Sequence, residues 1–286
     1  MLIEKCFNDY LEFVSIYRKN GTYKYYTKIF KSLLAVLKIL EINSFEKIES
    51  DFFDKITKCY LEKTNKKNSQ INSAISVLIT VLNYYKLEYP KRIKLKDDTK
   101  SFTALSDTEL KKLLDYLDKI DLDYLNNFSC VLAVYLFLDT GVRFSEILQI
   151  RTKYVDFENN SIYLEHTKNG YFRYVFFGGL SKNHLIKMIS QKKEFVLWNF
   201  IHDRPMKRDT LYHFFDRLNK DLKFRFNLHP HRLRKTFATN LLKNGCNLAI
   251  ISKLLGHRDI KQTMIYLQTD NILLSSEYNK FYPYER

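Results

Sequence analysis

Cysteine is scarce and never paired. Cys6, Cys59, Cys130 and Cys246 are the four in 286 residues, and no two make a C-x-x-C spacing. That argues against a disulfide framework or a zinc site and for reduced, cytosolic thiols. The N-terminus, MLIEKCFNDY, has no apolar core and does not read as a signal segment. The longest apolar run, residues 131–138, falls far short of the roughly 20 residues that cross a bilayer. The sequence therefore predicts a soluble cytoplasmic protein with no membrane partner. Internal repeats and low-complexity tracts are missing too. Acid is in deficit, with 32 Asp and Glu against 47 Lys and Arg, a net charge of +15. Such an excess points to a polyanionic partner, nucleic acid first. A base-composition bias that enriches Lys, Asn, Ile, Tyr and Phe would also raise the charge, so charge alone does not decide the function.

What is present suits two domains: 286 residues with 45% hydrophobic content supply ordinary cores. Residues 2–20, 23–42, 44–63 and 67–87 read as four helices. Ile29, Leu33, Val36, Leu37 and Leu40 mark one buried face, and Ile71, Ala74, Ile75, Leu78, Val81 and Leu82 another. Lys24, Lys28 and Lys31 lie between the apolar positions. A plain bundle with solvated lysines and a clamp on a phosphate backbone both fit this pattern. Tyr89-Pro90 closes the segment. Residues 1–90 are thus predicted as a helical domain, 91–103 as a linker and 104–286 as a second domain.

The second domain opens with a capping box, Ser106 with Glu109 three residues on. Helices over 107–120 and 124–138 follow, then a break at Thr140-Gly141 and a further helix carrying Arg143 and Glu146. From Tyr154 the period changes to two, with turns at 158–160 and 168–170. This predicts a three-stranded antiparallel sheet with Lys168 at a hairpin tip. Helices return over 182–189 and 208–222, beginning with Arg208 in a basic stretch. The fold class is therefore mainly α with a small antiparallel sheet, α+β.

The stretch 229–266 holds the chemistry. His231 and Arg234 are three apart on a helix predicted over 233–242 with its approach, so they share a face. Gly245 suits that helix's end and Asn247 the next cap, while Gly256 ends the following helix and leaves His257 at its terminus. Tyr266 follows on another short helix. Two histidines, an arginine and a tyrosine on helix faces and ends suit a phosphate. His229-Pro230-His231 lacks a Cys or acidic group to complete a metal site, so no metal is predicted. Each residue has a plain alternative: Tyr266 as core or surface, Lys168 as a solvated hairpin lysine, and Arg143 with Glu146 as a structural ion pair.

Taken in order, Arg143, Lys168, His231, Arg234, His257 and Tyr266 resemble the catalytic set of the tyrosine recombinases, or phage integrases. The likeness runs through TGVRFSE at 140–146, TKNG at 167–170, HRLRKTFAT at 231–239 and LGH at 255–257. The first domain matches by position only. Lys235 stands where many members have a second histidine, and YVFF at 174–177 lacks the usual Val-Pro strand ending.

The resemblance implies a site-specific DNA recombinase working through a 3′-phosphotyrosine, with neither cofactor nor ATP. Tyr266 would be the nucleophile, Lys168 the acid for the 5′-oxygen, and Arg143, Arg234 and His257 the donors to the non-bridging oxygens. His231 would assist proton movement, and Glu146 would orient His231 or an arginine from behind. It also implies double-stranded DNA with inverted-repeat core sites, a dimer on one site and a tetramer in synapsis, with an accessory protein as a further partner. Lys24, Lys28, Lys31, Arg208 and Lys235 are candidate DNA contacts. The tail from about 271 to 286 would dock on a neighbouring subunit. A compact Xer-like dimer resolvase and a mobile-element integrase are both open. The alternatives are a catalytically silent DNA-binding regulator on the same fold and type IB topoisomerase-like strand relaxation.

Overall fold

The computed structural model describes residues 2–46, 48–96, 103–124, 126–165, 172–257 and 259. The chain divides into two compact units, 1–101 and 102–286.

The first unit is built from α1 (Ile3–Tyr17), α2 (Asn20–Ile39), α3 (Phe52–Lys63) and α4 (Asn68–Tyr84). Its core takes Phe7, Phe30, Leu33, Ile56, Tyr60, Ile71, Leu78 and Leu82. Phe7 and Phe30 stack at 4.2 Å between centroids. The third helix starts at Phe52, not at the predicted residue 44. Ser44 pairs with Leu2, Ile3 N donates to Asn43 O, and Phe45 fills the core, so tertiary contacts hold this segment off the helix. Residues 91–96, the start of the predicted linker, are tied to α4. Arg92 donates to Asn72 Oδ1 and Ser76 Oγ, and Asn72 and Asn68 donate to Leu95 O and Lys96 O.

In the second unit, α5 (Asp107–Leu117) starts at Ser106 as predicted, with Glu109 N donating to Ser106 Oγ and Glu109 accepting from Ser106 N. The centre is α6 (Asn127–Thr140), buried all round, from Phe128 through Leu138. A helix apolar on every side belongs inside a core. Around it lie α8 (Gly179–Ser190), α9 (Arg208–Leu222) and α10 (Pro230–Lys243). The four-residue α7 (Phe144–Ile147) and α11 (Leu248–Leu255) complete the helices. Strands β1 (Val155–Asp156), β2 (Ser161–Leu164) and β3 (Arg173–Phe176) form an antiparallel sheet in that order, with Ile162 opposite Val175 and Leu164 opposite Arg173. A short hairpin, β4 (Trp198–Asn199) with β5 (Arg204–Pro205), was not predicted. The tenth helix begins three residues before the predicted 233, with His229 as N-cap and Pro230 at its first position, where proline's missing N–H is no loss. His231 is therefore inside the helix.

Candidate active site

The site is organised around the end of α11. An α-helix leaves its last carbonyls without intrahelical partners. Here Gly256 turns into the left-handed region (φ +66°), so His257 N donates to Ser252 O and Gly256 N to Lys253 O, both at 3.0 Å. The next three carbonyls accept from arginines remote in sequence. Arg173 Nε donates to Leu254 O at 3.0 Å, Arg234 Nη2 to Leu255 O at 2.6 Å and Arg143 Nη2 to Gly256 O at 2.6 Å. Three permanent cations thus face the negative end of a helix dipole. The turn that presents His257 is held by all of them.

Each arginine is set by its own element. Gly141 ends α6 with φ +59°, and its carbonyl accepts from Arg234 Nη1 at 2.5 Å. Arg234, buried in the second turn of α10, therefore joins the ends of α6 and α11. Arg143 caps the start of α7, where its N–H donates to Glu146 Oε2 at 2.8 Å and its Nη1 to Glu146 Oε1 at 2.9 Å. Arg173 donates to both Glu146 oxygens, each at 2.8 Å. The Glu146 side chain is 1% exposed. Burial alone would push its carboxyl up, but the hydrogen bonds and charge of Arg173, then of Arg143, bring it down to about 2. Of the two partners foreseen for Glu146, His231 or an arginine, the structure gives arginines, and two of them.

His257 Nε2 lies 3.2 Å from Arg234 Nη2. Arginine only donates, so Nε2 accepts and the ring proton sits on Nδ1. Burial first, then the charges of Arg234, Arg143 and Arg173, push this imidazole down to about 4, leaving it neutral at pH 7. His231 is exposed at the start of α10 and Lys235 is half-buried, its ammonium pushed down by burial. Lys24, Lys28, Lys31 and Arg208 are exposed. Arg208 stacks over the Phe144 ring at 5.0 Å, beside Arg143 in sequence. Lys168, Tyr266 and the tail from about 271 to 286 lie outside the described residues.

Two residues escaped the sequence reading. Arg173 is on the same side of β3 as buried Val175, while Tyr174 and Phe176 point outward. An arginine at an inward strand position needs a partner, and that alternation was the available signal. Arg232 is 1% exposed and donates to Glu109, Phe226 O and Thr103 O, tying the start of α10 to the cap of α5. Among the described residues no group of three or more His, Cys, Asp or Glu is placed to hold a metal. No described helix is long and apolar enough to cross a membrane. What the arrangement offers is a set of fixed, permanently charged donors with a neutral imidazole, suited to an oxyanion.

The phage integrase family matches residues 103–271. A probable integrase/recombinase of Acholeplasma phage L2 is 28% identical over 288 residues, 98% of each chain. The tyrosine recombinase XerA of Saccharolobus solfataricus is 45% identical over 150 residues, 52% of this chain and 49% of that one. Among solved structures, the Tn1549 transposon integrase in complex with circular intermediate DNA superposes with a TM-score of 0.76 at 19% identity, covering 100% of both chains. A lambda integrase dimer bound to a core site gives 0.71 at 17% identity, covering 92% of this chain and 97% of that one. These two likenesses concern the fold. The chain belongs to the phage integrase family. Its class is the tyrosine-type site-specific DNA recombinase.

Proposed function

We propose that Arg143, Arg234 and His257 hold the non-bridging oxygens of a DNA phosphodiester while Tyr266 attacks the phosphorus. The observation that carries this reading is the convergence of these three side chains, from positions 143, 234 and 257, on one end of α11. Attack builds negative charge on the non-bridging oxygens, and prepositioned guanidiniums meet it without reorganising. The phenolic oxygen takes the phosphorus, leaving a 3′-phosphotyrosine and a 5′-hydroxyl. Lys168 protonates the departing 5′-oxygen, and His231, exposed at the start of α10, assists the proton at the tyrosine. The bond energy is conserved in the ester, so rejoining uses neither ATP nor a metal.

The first unit clamps the duplex through exposed Lys24, Lys28 and Lys31 on α2 and a polar groove of about 450 Å³ lined by Tyr25, Ser69, Ser73, Ser76 and Lys94. Arg208 and Lys235 add backbone contacts from the second unit. The enzyme acts as a dimer on one inverted-repeat site and a tetramer in synapsis, with the 271–286 tail linking subunits. The match to a phage protein over 98% of both chains supports integration or excision of a mobile element beside Xer-type dimer resolution. An attachment-like repeat in the DNA flanking the gene decides between them.

The phosphate-holding assignment is tested by single-turnover cleavage of a nicked suicide duplex. Arg143→Ala and Arg234→Ala each slow adduct formation by about 100- to 1,000-fold, the effect of removing one oxyanion donor. Wild-type rates in either variant would overturn the assignment.

A further inference from the structure

Arg173 is assigned no role by the set of six, and its surroundings give it one. It contributes three hydrogen bonds, two to Glu146 and one to Leu254 O. Through Glu146 it reaches Arg143, which shares that carboxylate. Through Leu254 O it fixes the carbonyl next to those held by Arg234 and Arg143. Gly256 leaves no slack: a Cβ built there would stand 3.1 Å from Arg173 Cδ and Nη1. Its side chain is only 11% exposed, so it is embedded behind the turn.

We propose that Arg173 is a positioning residue: from β3 it locks Glu146 and the end of α11 so that Arg143 and His257 are aimed at the phosphate. The inference rests on the function proposed above. Glu146 carries one negative charge for two guanidiniums. With Arg173 gone, Arg143 is the ion-pair partner left to it among the described residues and can turn fully onto the carboxylate, away from Gly256 O. Leu254 O loses its donor at the same time, which loosens the turn bearing His257. A lysine at 173 does not replace the device, because one ammonium cannot give parallel bonds to both oxygens and a third to the carbonyl.

The test compares wild type, Arg173→Ala and Arg173→Lys on the nicked suicide duplex at saturating DNA, with affinity measured separately. His257 is followed by NMR titration of its labelled ring. Arg173→Ala and Arg173→Lys slow adduct formation by about 10- to 100-fold, the range for residues that orient a site from behind, at unchanged DNA affinity. The His257 midpoint moves up in Arg173→Ala. Adding Glu146→Gln to Arg173→Ala costs less than the two single effects multiplied, because both act through one link.

Wild-type cleavage in both variants overturns the proposal. So does a loss of DNA affinity that accounts for the whole effect. If Arg173→Ala does not fold, Arg173→Lys decides by the same criteria. If wild-type protein itself forms no adduct, the proposed function fails and the titration still decides on Arg173. A His257 ring unchanged in midpoint and chemical shift in both variants then overturns its positioning role, and a displaced one supports it.

Discussion

Glu146 is the residue on which the cations depend. Removing it leaves the guanidiniums of Arg143 and Arg173, 17% and 11% exposed, without their countercharge. Glu146→Ala should therefore cost about 3–5 kcal/mol of stability, the range for breaking a buried pair from one side, measured by urea unfolding. His257 gives a pH signature. Its pKa is depressed from 6.5 to about 4, so below 6.5 the unfolded chain binds a proton that the folded one refuses. The contribution of His257 is fully present above 6.5 and is lost as the pH drops towards 4. Glu146, depressed from 4.5 to about 2, adds a second loss between those values. His257→Gln should flatten the upper window in unfolding curves taken from pH 7 to pH 4. It should not abolish it, because burial also pushes His184 and His229 down. An unchanged slope would mean that His257 is not held neutral.

At the scale of elements, the left-handed ends of α6 and α11 place the arginine acceptors. Gly256→Ala should lose about 1–2 kcal/mol for its conformation alone, and more as the new Cβ meets Arg173. Gly21, with nothing within 4 Å of an added Cβ and lying inside α2, is the control. Gly21→Ala should gain up to about 1 kcal/mol. Thermal unfolding of the pair checks both signs. Features of this local kind were legible in the sequence. Ser106 with Glu109, Asn247 as a cap and Gly256 as a stop all act within a few residues of chain. The antiparallel sheet was legible for the same reason, because a period of two separates inward Val175 from outward Tyr174, whereas which residues pair across it was not. What escaped reading depends on partners far along the chain. The segment before α3 is drawn off the helix by Leu2, β4 and β5 are two residues each, and Arg173 meets Glu146 across 27 positions. His231, Arg234 and His257 were legible as candidates, but that the last two would touch was not.

At the scale of the molecule, the two units divide the labour proposed here: one grips the duplex, the other cuts it. The excess of basic over acidic residues, 47 against 32, matches a partner that is a polyanion over its whole length. Attack by Tyr266 on a DNA phosphorus is tested by capturing a covalent protein–DNA adduct on a nicked suicide duplex carrying the core site, in EDTA, with the linked peptide identified. The adduct should form without added metal, map to Tyr266 and vanish in Tyr266→Phe. An adduct on another residue, strict dependence on Mg²⁺, or DNA binding with no adduct in the wild-type protein would contradict this mechanism.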